Sequence, residues 1–312
     1  MIDFDNLKMA VDRAYNTALK SIGKGEVASY IPELAKVDSN ALAVSVMSLD
    51  GTNYSVGDDN VRFTIQSIGK VISFLAALEL LGEDKVFSVV GMEASGDAFN
   101  SVVRLETNAE GIPSNPMINA GAIAVCSLIP GDSLEERFGL LLEIARNLLG
   151  DANVLVDEKV YLSERATGSR NKAMAYLMNA NGIISDKVEE HLNLYFMLCS
   201  LLVTSKSLAY LGAVLAGDGI APTKRKKRLI SRKNARLARA MMVTSGMYDA
   251  SGKFAAKVGC PSKSGVGGGI MSVVPKKMGI GVYSPALDEI GNSFAGQEAL
   301  FCLSNELDLF VY

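Results

Sequence analysis

Ser67 and Lys70 stand three residues apart in the stretch 63–82, FTIQSIGKVISFLAALELLG, and that spacing puts both side chains on one face of a helical turn. A serine hydroxyl is a weak nucleophile until a neighbouring base takes its proton. A lysine can be that base when burial lowers its pKa enough to leave the amine neutral. The chain has one histidine, His191, and no G-x-S-x-G elbow around any serine. A Ser-His-Asp triad would rest on that one residue, so a lysine base is the more economical reading. The spacing alone is weakly specific, because an N-cap serine beside a solvated lysine shows it too.

The element that must hold the pair is a helix over 68–81. Val71, Ile72, Phe74, Leu75, Leu78, Leu80 and Leu81 give it a broad apolar face, Glu79 is the only charge in the apolar run, and Gly82 is placed as a C-cap. Upstream, residues 5–21 read as an amphipathic helix, and strands at 41–49 and 53–56 flank Asp50-Gly51, a strong hairpin signal. Downstream, 112–246 is helical: Ser133 and Glu136 form a capping box for 134–149, and further helices fit 157–166, 169–180, 186–200, 205–216 and 231–245. Strands follow at 263–274 and 278–283 across a Pro-Lys-Lys turn, then a last helix at 293–306. This order predicts an α+β domain over 1–312, an antiparallel sheet with flanking helices plus an inserted helical lobe. The sheet lobe takes about 1–62 and 247–312 and the helical lobe about 63–246, with Ser67 at the seam, where small-molecule clefts commonly lie.

Composition narrows the classes. The chain has 312 residues, 49% hydrophobic and 21% charged, with net charge −3, as expected of a globular protein with no overall attraction for nucleic acid or anionic membranes. The N-terminus is polar and acidic, unlike a signal peptide, and no window reaches the ~18 apolar residues of a membrane span. A cytoplasmic location is expected. Cys126, Cys199, Cys260 and Cys302 are far apart, with no C-x-x-C, and one histidine completes no usual zinc set. They read as reduced and buried. Lys224-Arg225-Lys226-Lys227-Arg228, continued by Arg232, Lys233, Arg236 and Arg239, reads as a solvated loop and helix face, since no aromatic residue interrupts it.

Other polar residues gain meaning only together. Four glycines between 265 and 269, after Lys263 and Ser264, imply that something approaches this backbone closely; the order is wrong for a P-loop. Penicillin-recognising serine enzymes pair S-x-x-K with a K-T-G strand whose amides help bind the substrate carbonyl oxygen, and Lys263-Ser264-Gly265 stands where that strand would be. Asn119 among small residues, Glu164 and Asn171 around a Gly-Ser turn, and Tyr195 and Tyr248 in apolar settings each have an ordinary structural reading as well.

As a set, these segments resemble the serine-dependent glutaminases. The resemblance runs from Tyr30 almost to the C-terminus and is carried by YIPELA at 30–35, FTIQSIGK at 63–70, NPMINAGAI at 115–123, Glu164 and Asn171, YF at 195–196, GMYDASG at 246–252 and KSGVGGGI at 263–270. It implies a β-lactamase/transpeptidase-like fold and hydrolysis of L-glutamine to L-glutamate and ammonia with no metal or organic cofactor. It further implies Ser67 as nucleophile, Lys70 as its base and Tyr248 as a sharer of the proton, with an oxyanion hole from the amides of Ser67 and Val266. Glu164, Asn119, Asn171 and Tyr195 would bind the amino-acid end of glutamine, Tyr30 and Gln66 would line the pocket, and the intermediate would be a γ-glutamyl ester on Ser67. A homo-oligomer, dimer or tetramer, is implied too. Gly69 departs from the pattern, where a serine or bulkier residue is expected, and would loosen Ser67. Two rival readings remain: another serine amidase or β-lactam-reactive relative, and a catalytically silent homologue whose basic 224–239 surface binds a partner.

Overall fold

The computed structural model describes residues 4–94 and 111–311. Five antiparallel strands form one sheet, in the order Asn53–Gly57, Ala43–Ser48, Met278–Tyr283, Gly269–Val274, Ser262–Ser264. The period of two along Met278–Tyr283 explains how both faces are covered. Ile280 and Val282 point to one face, where with Val44 and Val46 they pack against Leu7, Val11, Ala299 and Leu303 of the terminal helices Phe4–Leu19 and Phe294–Leu307. Gly279 and Gly281 point to the other. A Cβ on Gly279 would strike the backbone of Ala209 and Ala213, and one on Gly281 that of Ser205. The helix Ser205–Ala216 therefore lies directly on the sheet, and Ser45 Oγ, in register with Gly281, reaches Ser205 Oγ at 2.8 Å.

Beyond that helix lies a second, larger core, built around Gly69–Leu81 with Asn119–Ser127, Leu134–Leu149, Ser169–Ala180 and Val188–Cys199. Gly69–Leu81 is buried all round from Gly69 to Leu78, as its near-continuous apolar sequence demands. Gly82, at φ +79°, ends it. Ser133 accepts from Glu136 N as the predicted capping box requires, but the Glu136 carboxylate accepts from Asp132 N and not from Ser133 N, so the box is only half formed; Gly150 closes that helix in the left-handed conformation.

The chain is thus a mixed α and β protein with an antiparallel sheet and packed helices. The expected helices appear with ends moved by one or two residues, for example Phe4–Leu19 for 5–21 and Val188–Cys199 for 186–200. The Asp50-Gly51 hairpin forms as expected, closing through residues 49–52, where Asp50 Oδ1 accepts from Thr52 N and Thr52 O accepts from Ser48 N. Two expectations need correction. The stretch 263–274 is two strands, Ser262–Ser264 and Gly269–Val274, folded on each other through Gly265–Gly268. A helix at Ser251–Val258 fills part of the region after Gly246 that was read only as a motif. Among the described residues no helix is long and apolar enough to cross a membrane. Residues 95–110, inside the span expected for a helical lobe, lie outside those described.

Candidate active site

Ser67 is held from two sides. Phe63–Thr64 pairs with Leu202–Val203, and Phe63 stacks on Tyr283 of the sheet at 4.0 Å between centroids. The chain then passes through a 3-10 turn, Gln66–Ile68, into the buried helix. Gln66 takes φ +49°, a conformation costing a non-glycine residue about 1–3 kcal/mol and kept only where the surroundings dictate it. Its amide donates to Thr64 Oγ1 at 3.2 Å. The glycine turn presses on the same segment from below. A Cβ on Gly265 would sit 2.7 Å from Ile65 O, one on Gly267 would strike Thr64 O, and one on Gly269 would lie 2.7 Å from the Phe63 ring. The close approach inferred from the glycines is therefore to the chain's own 63–66 backbone, and it brings Val266 into the wall that contains Ser67.

That wall encloses a cavity of about 360 Å³ lined by Tyr30, Gln66, Ser67, Asn119, Glu164, Asn171, Tyr195 and Val266. Lys70 and Tyr248 lie just behind it, both buried. Lys70 Nζ donates to Asn119 Oδ1 at 2.6 Å and to Met117 O at 3.3 Å, and Asn119 Nδ2 passes a bond on to Asn171 Oδ1 at 3.0 Å. Tyr248, at φ +53°, occupies a 3-10 turn pinned by Ser251 Oγ, which donates to its carbonyl at 2.7 Å. Its hydroxyl interacts with the Ser67 side chain and the Val266 backbone N–H. The Tyr195 hydroxyl meets the Cys199 thiol. Tyr30 stands at the mouth, 59% exposed as a residue, with its hydroxyl end enclosed beside Tyr248 and Glu164. Ile31 and Leu34 of its segment rest on Val160, Tyr248 and Val266, a small apolar cluster separate from both main cores.

The glutaminase profile matches residues 25–312. The chain belongs to the glutaminase family. Glutaminase 2 of Clostridium perfringens is 50% identical over 288 residues, covering 92% of this chain and 94% of that protein, and the glutaminase of Clostridium tetani is 51% identical over 93% and 94%. Among solved structures, the probable glutaminase YbaS superposes with a TM-score of 0.95 at 40% identity, covering 100% of this chain and 99% of that one. A probable glutaminase from Bacillus subtilis complexed with 6-diazo-5-oxo-L-norleucine gives 0.87 at 38% identity, over 100% and 98%.

Burial governs the electrostatics of this cavity in the glutaminase chain. It pushes the Lys70 amine down to about 8, against the opposing pull of Cys199, Glu164 and Cys126. It lifts the Glu164 carboxyl to about 7, even though a Gln66 hydrogen bond and the Lys70 charge favour the anion. Burial also raises the Tyr248 hydroxyl, over the opposing contacts with Ser67 and Val266 N–H. The helix Glu158–Thr167 turns Glu164 inward to 5% exposure, into the cavity lining.

Lys263 was missed as a site residue. Its amine, fully buried, donates to Gly246 O at 3.1 Å and Ser264 O at 2.7 Å and lies 4.7 Å from the Tyr248 ring centroid. Burial first, then repulsion from Lys70, holds its pKa well below the ordinary value. The sequence places Lys263 beside the glycine turn, but only the sheet topology shows it buried under Tyr248. Cys199, read only as a core thiol, also faces the cavity, although burial keeps its thiol far above the ordinary range. Cys126 and Cys260 are buried, Cys302 is half-buried, and all four cysteines are free. The reading of Gly69 is reversed. A Cβ there would lie 3.0 Å from Leu198 Cγ and 3.3 Å from Ile65 Cγ2, so the missing side chain is replaced by Leu198 and the turn is packed, not loosened.

Proposed function

We propose that this chain hydrolyses L-glutamine to L-glutamate and ammonia through a Ser67–Lys70 dyad and a γ-glutamyl acyl-enzyme. The observation that carries this reading is the setting of Lys70. Its amine, fully buried one turn along from Ser67, is held by Asn119 Oδ1 at 2.6 Å and Met117 O at 3.3 Å, beside the cavity that Ser67 lines. Burial of the amine lowers its pKa to about 8, near the pH at which a general base works best.

Ser67 Oγ attacks the side-chain carbonyl carbon of glutamine while its proton passes to Lys70, with Tyr248 sharing the transfer. The carbonyl π pair moves to oxygen, where the backbone N–H groups of Ser67 and Val266 hold the negative charge; one such donor is typically worth about 3–4 kcal/mol. Collapse breaks the C–N bond, the departing NH2 takes up the proton held on Lys70, and ammonia leaves. Water then attacks the ester, Lys70 takes its proton, and collapse returns it to Ser67 and frees L-glutamate. Glu164 meets the substrate ammonium, and Asn119, Asn171 and Tyr195 serve its carboxylate. Gln66 and Tyr30 shape the pocket around the chain. The Bacillus subtilis relative bound to 6-diazo-5-oxo-L-norleucine, an α-amino acid bearing a carbonyl, supports a site for such a substrate. On this reading the fold is β-lactamase/transpeptidase-like, with a sheet lobe of 1–62 and 247–312 and a helical lobe of 63–246, and the enzyme works in the cytoplasm as a dimer or tetramer.

The test is product release from L-glutamine by the purified protein beside Ser67→Ala and Lys70→Ala, with L-asparagine and a chromogenic β-lactam as controls. Equal amounts of ammonia and glutamate from the parent, and near-complete loss in both variants, support the dyad. Faster turnover of the β-lactam would move the reading to a β-lactam-reactive relative, and a folded, inactive parent to a silent homologue.

A further inference from the structure

Nine basic residues between 224 and 239 divide into two sets. Arg232, Arg236 and Arg239 converge on Asp218, with Arg232 Nε at 3.0 Å and Arg239 Nη2 at 2.8 Å from its carboxylate. Arg228 Nη1 donates to Asp218 O and Ile230 O, and Lys233 pairs with Glu83 at 2.9 Å. These five fasten the loop and the helix Arg232–Ser245 to the body. Lys224, Arg225, Lys226 and Lys227 do none of this. All four are exposed, and none is among the described ion pairs or side-chain hydrogen bonds.

Their backbone is nevertheless fixed. Ile220 bridges Arg228, Ala221 N bonds Lys227 O at 2.8 Å, and Lys226 N bonds Thr223 O at 3.0 Å, with Lys226 turned to φ +46°. The result is a short finger carrying four consecutive cations at its tip, on a chain of net charge −3. Unpaired like charges held together on a rigid turn repel one another, and a counter-charge relieves that repulsion.

We propose that the 224–227 fingertip binds a linear phosphate polyanion, such as a polyphosphate chain or the backbone of a single-stranded nucleic acid. The tip offers a row of four consecutive charges, which matches a chain of repeated charges. No aromatic or aliphatic residue interrupts 224–228, so the tip itself carries no platform for base stacking. The adjoining groove of about 500 Å³ sets Glu143 and Asp151 beside Arg146, Arg225 and Lys227, with Tyr210 in its wall, so its carboxylates offset part of its positive charge while the tip carries cations alone. Recognition is then by charge alone, without sequence preference. None of the four residues lines the cavity that contains Ser67, so the inference stands apart from the glutaminase reading.

The test is fluorescence anisotropy with labelled inorganic polyphosphate and, separately, labelled single-stranded RNA, with inorganic phosphate and polyglutamate as competitors. It compares the parent with a variant carrying Lys224→Gln, Arg225→Gln, Lys226→Asn and Lys227→Gln. Asparagine at 226 tolerates the left-handed backbone, and an unchanged thermal midpoint shows that the variant folds. Four phosphate contacts give a log–log salt slope of about −3, roughly a 50-fold loss of affinity between 50 and 200 mM salt. The variant is expected to lose at least tenfold in affinity for both chains, whereas Arg232→Gln, which removes a cation already paired, changes it less than twofold. Tighter binding of polyphosphate or of RNA identifies which source of the chain is preferred. Absence of binding to both chains at 50 mM salt, a slope near zero, equal retention by the four-site variant, or polyglutamate competing as well as polyphosphate would each overturn the proposal.

Discussion

Replacing Asn119 by aspartate probes the Lys70 base through its nearest partner. Asn119 Oδ1 lies 2.6 Å from Lys70 Nζ, so Asn119→Asp puts a carboxylate oxygen where an amide oxygen accepted the bond, with little change of shape. Two unit charges about 4 Å apart at an effective dielectric of about 20 attract by roughly 4 kcal/mol, which amounts to a rise of about 3 pKa units in the lysine. Starting from about 8, the amine would then stay charged until about pH 11. At pH 8 the neutral fraction drops from about half to about one in a thousand, so kcat falls more than 100-fold and recovers only in strong alkali. The assay is kcat for ammonia release across pH, with Asn119→Ala as control. Alanine also removes the substrate contact but adds no charge, so it lowers activity without carrying the acid limb upward. An acid limb in Asn119→Asp that stays within half a unit of the parent's would refute the reasoning, because loss of binding alone cannot hold the limb in place while a charge sits on the base.

Three further outcomes follow from the same geometry. Lys70 binds its proton less readily folded than unfolded, so parent stability rises with pH from about 8 to 10.5; in urea unfolding, the stability difference between Lys70→Met and the parent is expected to shift by about 3 kcal/mol against the variant over that window. Glu164 titrates near 7, so the KM for L-glutamine should climb as pH falls through 7 and the carboxylate that meets the ammonium is lost, while Glu164→Gln should show a raised KM with no such step. Gly69→Leu has to displace Leu198 and Ile65; overpacking of this kind costs about 1–3 kcal/mol, seen as a lower thermal midpoint, and a variant as stable as the parent would restore the loosened-turn reading.

The sequence disclosed the helices well, because their caps and apolar spacing are local: Ser133 with Glu136 and the Gly82 and Gly150 stops all occupy the places their residue types require. It disclosed less about what crosses the chain. Gly265–Gly268 looked like part of a strand because nothing local announces that Ile65 and Thr64 must lie against it. Gly69 looked like a defect because Leu198, which occupies the space, is far away in sequence. The cavity wall was legible in residue identity through the family resemblance. The layer behind it was not: Lys263 under the Tyr248 ring is a product of sheet topology, which carries Ser262–Ser264 to the sheet edge beside Gly246.

The central claim is a covalent γ-glutamyl ester on Ser67, and acid quench of the enzyme during turnover of L-glutamine, followed by peptide mass mapping, tests it most directly. The account predicts a glutamyl adduct on the peptide containing Ser67, converted to the hydroxamate by hydroxylamine and absent from Ser67→Ala. An adduct on Cys199, which faces the same cavity, or sustained ammonia release by Ser67→Ala with no adduct, would contradict it.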